Sequence, residues 1–175
     1  ITDSHGTYYL ENIAGLETKL QNKQVITYDY KKDLSQIIFE SNFDLMIAGY
    51  LLNINVKDDI TAIMSIDGFN TKSINEFKKM GYPKDEFRNA ICLKSKYLFD
   101  IKSKYLNKLK EENLLELFFD IEMPLTKVLS KMEKTGMKCK KEILEDMKKN
   151  IAKELETISQ SIYSLAGCEF NIGSP

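Results

Sequence analysis

Residues 24–38 read QVITYDYKKDLSQII, and the change of pattern inside this stretch decides the fold class. Gln24 to Tyr28 has the β-branched and aromatic make-up of a strand, whereas Leu34, Ile37 and Ile38 recur at helical spacing. Toward the N-terminus, Ile13, Leu16 and Leu20 mark a short helix. Before it, Ser4-His5-Gly6 supplies turn chemistry between Ile1 and Thr7-Tyr8-Tyr9-Leu10, which predicts a hairpin. Strand, helix, strand, helix is the order of an α/β unit with at least one parallel pair, because parallel strands need a crossover connection.

From Phe43 onward the pattern is helical almost throughout. Asp44 is placed to cap a helix over residues 45–52, Asp58 or Asp59 to cap one ending near Asp67-Gly68, and Ser73 with Glu76 forms a capping-box pattern. Beyond Tyr82-Pro83 a long helix is expected to about Glu112 and a second from Asn113 to Thr135, with Gly136 as its stop. After a brief extended stretch at residues 137–139, Ile143, Met147, Ile151, Leu155, Ile158, Ile162 and Leu165 form an apolar stripe ahead of Gly167. So long a stripe exceeds the need of one small core. Part of it is expected against the helix of residues 114–132 or against further chain, with the second half of the stripe more buried than the first.

At 175 residues, 43% hydrophobic and 29% charged, with eight Gly and three Pro, the chain has the composition of a soluble, mostly helical protein with a real core. Its longest apolar run, residues 45–52, is far too short to span a bilayer and no signal-like N-terminus precedes it, so a cytoplasmic location is expected. Cys92, Cys139 and Cys168 show no Cys-x-x-Cys spacing, which argues against a disulfide framework or zinc site. The net charge of −1 argues against an all-over nucleic-acid binder, but it hides an uneven distribution. Residues 1–60 carry five Lys against nine acidic groups, while residues 94–110 carry six Lys against Asp100 and residues 126–153 nine Lys against four acids. These two basic helical stretches either face phosphates or are solvated faces. Arg88 is the sole arginine, so phosphate contacts would be point-charge attraction rather than bidentate recognition.

Residues 117–175 read LFFDIEMPLTKVLSKMEKTGMKCKKEILEDMKKNIAKELETISQSIYSLAGCEFNIGSP. The run Ile121-Glu122-Met123-Pro124-Leu125, then Met132-Glu133 with Thr135-Gly136 and Lys138, then Ile162-Tyr163 with Leu165-Ala166-Gly167, and last Glu169-Phe170-Asn171-Ile172 with Ser174-Pro175, resembles bacterial family A DNA polymerases. The likeness is to the junction where the 3′-5′ exonuclease-like domain ends and the polymerase domain begins. It implies an RNase H-like exonuclease fold over residues 1–113, a truncated mixed sheet with helices, followed over residues 114–175 by long helices leading toward the thumb. The chain begins at Ile1 without an initiator Met and stops where the family would continue, so an excised fragment is expected, a monomer whose partners are DNA and the rest of the polymerase.

Family A exonuclease domains use two divalent metals held by several carboxylates, which activate water and stabilise the departing oxygen. The ligands come from an Asp-x-Glu on the first strand, an Asn-x-x-(Tyr/Phe)-Asp, and a Tyr-x-x-x-Asp on a late helix. By the resemblance, Ile1 to Tyr9 corresponds to the second and third strands, so the Asp-x-Glu would lie upstream. The second motif falls at Asp29-Tyr30-Lys31-Lys32-Asp33: Asp33 takes the ligand position, but Asp29 replaces the Asn and Lys32 the aromatic residue. Counting back from Glu122-Met123-Pro124-Leu125 puts the third motif's Tyr and Asp at Ala90 and Lys94. No Tyr-x-x-x-Asp occurs in the sequence, and Tyr82 with Glu86 is the nearest imitation. A lysine at a metal position opposes the metal by like charge, worth several kcal/mol in a dry site.

These substitutions predict an inactive, structural exonuclease-like domain that holds no metal or cofactor, with Mg²⁺ belonging to the parent polymerase's own site. Lys127, Lys131, Lys134 and Lys138 are the lysines expected to face DNA. His5, the single histidine, reads as an exposed turn residue. Tyr97, Phe99 and Tyr105, interleaved with Lys94, Lys96, Lys102 and Lys104, are either a stacking platform for single strands or core residues at helical spacing. Two rival readings stand beside the scaffold: a stand-alone helical adaptor, and an active exonuclease using Asp33, Glu86 and upstream carboxylates.

Overall fold

The computed structural model describes residues 1–56 and 59–173; the alternative cap Asp58 and the closing Ser174-Pro175 of the family likeness lie outside them. The chain divides into two compact units between Thr135 and Gly136.

In the first unit the elements run α1 (Leu16–Leu20), β1 (Ile26–Thr27), α2 (Tyr30–Asp33), β2 (Phe43–Asp44), α3 (Leu45–Leu51), α4 (Thr61–Ile66), α5 (Ile74–Lys79) and α6 (Lys84–Glu111). A π-helical turn (Leu117–Glu122) then leads into α7 (Met123–Thr135). The unit is mostly helical around a small parallel sheet, an α/β arrangement. β1 and β2 pair in the register Ile26 to Phe43 and Thr27 to Asp44. The strand expected over residues 24–28 is thus only two residues long, and its helix stops at Asp33, before Ile37 and Ile38. Asp29 opens that helix at φ 97°, a left-handed conformation that costs a non-glycine residue energy.

The N-terminal hairpin reduces to one antiparallel bridge between Thr2 and Thr7. The Asp3 carboxylate turns it, accepting from His5 N at 2.8 Å and Gly6 N at 3.0 Å. It is fastened to α6 by the Thr2 hydroxyl donating to Ser95 Oγ at 3.0 Å and by Arg88, which pairs with Glu11 and lies over the Tyr9 ring.

Asp44 does cap α3, accepting from Met46 N and Ile47 N, while Phe43-Asp44 also forms β2, a strand too short to leave a periodic signal. The capping box of Ser73 and Glu76 is present on α5. α6 runs 28 residues because no Gly or Pro interrupts it; Asp85 and Glu86 stand in its first turn and Lys108 and Lys110 in its last, each complementing the helix dipole. Its inner face carries Ala90, Lys94, Tyr97, Tyr105 and Leu109. Of these, Tyr97, Tyr105 and Leu109 share one core with Tyr30, Phe43, Leu45, Ala48, Ile63, Met64 and Phe118, all buried. Gly49 of α3 is a close approach: a Cβ there would stand 2.7 Å from Val56 Cγ1.

The helix expected from Asn113 to Thr135 is interrupted by the π-helical turn ahead of Pro124. Pro124 has no N–H to donate to the carbonyl four residues back, and its ring crowds that turn, so the backbone accommodates one extra residue per turn. Phe118 inside the turn is buried against Phe43 at 5.4 Å between ring centres. Met123, Thr126 and Ser130 of α7 are buried as well. The resemblance implies a boundary between residues 113 and 114, whereas the compact unit continues to Thr135 because these side chains share its interior.

In the second unit Gly136 (φ 67°) follows α7, residues 137–140 have no regular structure, and α8 (Lys141–Ala166) ends at Gly167 in the left-handed conformation. The pairs Lys141–Glu145 and Asp146–Lys149 lie along the helix surface. Of the apolar stripe, Ile143, Met147, Ile151, Leu155 and Ile158 are 52–59% exposed and Leu165 90%. Ile162 and Tyr163 are half-buried, with Tyr163 edge-on to Phe170. The partial burial expected for the second half of the stripe is seen at Ile162 but not at Ile158 or Leu165.

Candidate functional site

The positions of the second motif gather where β1 and β2 hand over to their helices. Asp29 accepts from Lys32 N at 3.2 Å, closing the first turn of α2. Asp44, 1% exposed, stands at the end of the neighbouring strand. Its carboxylate accepts from the N–H groups of Asp29, Tyr30, Met46 and Ile47, so one side chain ties both strand-to-helix corners together. Burial pushes the Asp44 carboxyl up to about 6 against the pull of these donors, and the charge of Asp29 adds to the rise. Asp33 lies one turn on. Its carboxyl is pushed up to about 7, first by desolvation and then by Asp29 and Asp44, with Lys32 opposing. Asp33 is nevertheless exposed, so water on its open side restrains that rise. It borders a groove of about 880 Å³ whose walls include Leu10, Leu16, Ile26 and Phe99.

The third-motif positions lie on α6. Ala90 is buried, and Lys94 points into the molecule with its Nζ 2.8 Å from Asp59 Oδ2, the two side chains only 8% and 11% exposed. Asp59 also accepts from Thr61 N at 3.0 Å and Ile74 N at 2.8 Å, and its carbonyl receives the Tyr28 hydroxyl at 3.2 Å. Burial works to raise the Asp59 carboxyl, but the Lys94 ammonium and the two N–H groups together hold it below its ordinary value. Sequence reasoning found Asp59 as a helix cap and Lys94 as a substituted ligand. It missed that they are partners, because no local pattern links residues so far apart.

A two-metal centre does not fit these residues. Asp44 is spent on four backbone donors, Asp59 is neutralised by Lys94, and Lys94 itself, where the resemblance would put a carboxylate, offers an ammonium. Among the described residues no group of three or more His, Cys, Asp or Glu side chains could hold a metal ion.

The lysines divide between structural and free roles. Lys127 pairs with Glu40, and Lys31 with Glu133 at 2.7 Å. Lys131, Lys134 and Lys138 are exposed. On α6, Lys94 is buried, Lys104 pairs with Asp67 at 2.6 Å and Lys108 lies 5.6 Å over the Tyr105 ring, so much of that basic stretch is committed within the protein. Tyr97 and Tyr105 are core residues, which removes two of the three rings of a stacking platform; Phe99 alone is exposed. Tyr97 donates to Asp67 at 2.8 Å, and burial raises its phenol well above the usual range. His5 sits exposed beside Asp3 in the turn. No helix among the described residues is long and apolar enough to cross a membrane.

No family model matches the chain. It is similar to DNA polymerase I of Streptococcus pneumoniae serotype 4, 36% identical over 142 residues, covering 76% of this chain and 16% of that protein. It is 33% identical over 181 residues to DNA polymerase I of Lactococcus lactis subsp. lactis, covering 95% of this chain and 20% of that one. With the Bacillus subtilis protein of the same name the identity is 29% over 200 residues, covering 100% and 22%. The chain therefore spans about a fifth of the length of the curated relatives it matches.

Proposed function

This chain belongs to the bacterial DNA polymerase I family, and we propose that it forms a catalytically inactive, RNase H-like 3′-5′ exonuclease-like domain together with the first helices of a polymerase domain. Its work is mechanical: it buttresses the polymerase and presents Lys131, Lys134 and Lys138 to nearby DNA, in the bacterial cytoplasm. Nucleotide addition belongs to residues outside this chain, with Mg²⁺ at that site. The observation carrying this reading is the buried Lys94–Asp59 pair, which supports it because the resemblance assigns a metal-binding carboxylate to the position of Lys94. The exposed stripe on α8 supports the scaffold role, since an apolar face of that length suits docking against the remaining polymerase chain.

The test is a 3′-end degradation assay on single-stranded and primed DNA with Mg²⁺ or Mn²⁺, using the complete polymerase so that any upstream carboxylates are present. No shortening of the primer is expected. Shortening that disappears on Asp33→Ala would replace the scaffold reading by that of a working exonuclease.

A further inference from the structure

A polar cleft of about 410 Å³ is lined by the carboxylates of Asp29, Asp59 and Glu133, with Lys32 and Asn75 among the residues facing them. Each carboxylate is engaged from within the protein. Asp29 accepts from Lys32 N at 3.2 Å, Glu133 receives the Lys31 ammonium at 2.7 Å, and Asp59 receives that of Lys94 at 2.8 Å. Lys31 and Glu133 meet in the open, where water screens their attraction. Lys94 and Asp59 do not, since both side chains are buried.

Asp59 is the junction of four segments. Its Oδ1 accepts from Thr61 N at the start of α4, its Oδ2 from Ile74 N at the start of α5, and its carbonyl from the Tyr28 hydroxyl just past β1. The same Oδ2 takes the ammonium from α6. A carboxylate so enclosed needs a counter-charge, because an unpaired buried anion is strongly destabilising. Bound divalent ions supply one in many folds by drawing oxygens from several segments onto one centre. Here the charge arrives on a side chain. Mg²⁺ stands about 2.0–2.1 Å from its ligands in an octahedron of oxygens, and at Oδ2 it would meet an ammonium and an N–H instead.

We propose that the Lys94 ammonium is the resident cation of this cleft: it balances Asp59 and ties α4, α5, α6 and the end of β1 together without any exogenous ion. This role rests on the reading of a domain that serves no metal, yet the two are tested apart. Primer shortening in the nuclease assay would overturn that reading and leave the ammonium at Asp59 to be judged by its own measurement.

Chemical rescue supplies that measurement. Lys94→Ala removes a side-chain segment matched in length and charge by n-propylammonium. The melting temperature of this variant is expected to fall below that of the unsubstituted chain and to climb with propylammonium chloride concentration, as ligand linkage requires. n-Propanol, without the charge, and sodium chloride at the same ionic strength should not raise it. In the double variant Lys94→Ala with Asp59→Asn, propylammonium should act no better than propanol. In the unsubstituted chain Mg²⁺ should leave the melting temperature unchanged, and Mn²⁺ should leave the amide signals of Thr61 and Ile74 as sharp as those of Tyr105 and Leu109. Equal rescue by propanol, or none by propylammonium, would make Lys94 a space-filling side chain and end the proposal. Selective broadening of Thr61 and Ile74 by Mn²⁺ would put a metal where the ammonium is assigned, and this arm decides the matter even where Lys94→Ala does not fold.

Discussion

Replacement of Leu155 by alanine on α8 tests whether a long apolar stripe is a packed face or an open one. Leu155 is 59% exposed, so roughly two-fifths of its surface is shielded. Full burial of a leucine side chain is worth about 1.5–3 kcal/mol, and two-fifths of that is about 1 kcal/mol, part of which the alanine methyl keeps. The site opens to water, so no cavity is left behind and the penalty that dominates buried Leu→Ala changes does not arise. Alanine is also slightly the better helix former. The expected net change is a loss within about 0.5 kcal/mol. Urea unfolding followed by far-ultraviolet circular dichroism reads it as a midpoint nearly coincident with that of the unsubstituted chain at unchanged slope. A loss of about 2–5 kcal/mol, the range for a packed leucine, would falsify the open-face description and show the stripe covered in solution.

Phe118→Ala is expected to behave oppositely, costing about 3–5 kcal/mol in the same assay, because the ring is fully buried between Phe43 and Phe119; a loss below about 1 kcal/mol would dissociate the π-helical turn from the core. Asp44 carries a pH signature. Its folded carboxyl titrates at about 6 against 3.8 when unfolded, so the native state holds the extra proton and the stability it confers, up to about 3 kcal/mol, is complete below pH 4 and lost as pH rises to 6. Asp44→Asn should therefore gain on the unsubstituted protein between pH 4 and pH 7 in melting temperature; a constant gap across that range contradicts the assignment. If Lys131 and Lys134 meet phosphate, reversing both to Glu should weaken DNA binding and lower the slope of log affinity against log salt by about 2, and affinity that survives high salt in the unsubstituted chain would point to recognition of another kind.

Sequence signals that act over one or two turns were readable. The Asp44 cap, the Ser73–Glu76 box, the stop at Gly136 and the extent of α6 all depend on residues within reach of one another along the chain. An α/β order was legible, but it was drawn from strands within residues 1–28; the parallel pair forms instead between β1 and Phe43-Asp44, which is too short to alternate and takes its strand character wholly from pairing with Ile26 and Thr27. Lys94 was legible as an anomaly but not as a partner, because its counter-charge is supplied by a loop that tertiary packing brings to α6. The stripe on α8 was read correctly as apolar; periodicity states which residues share a face and leaves open what covers it.

The π-helical turn before Pro124 also sets the phase of everything that follows it. Each helical residue advances the face by about 100° and the axis by about 1.5 Å. The extra residue therefore lets Phe118 point into the core while Met123 and, past Pro124, Thr126 and Ser130 still return inward and Leu125, Val128 and Met132 are turned to the surface. A chain shortened by one residue there would rotate α7 by roughly a quarter turn, shifting its apolar outer row around the helix and pulling the buried Thr126 and Ser130 away from their places. The width of one turn, not the composition of the helix, decides which face α7 offers outward.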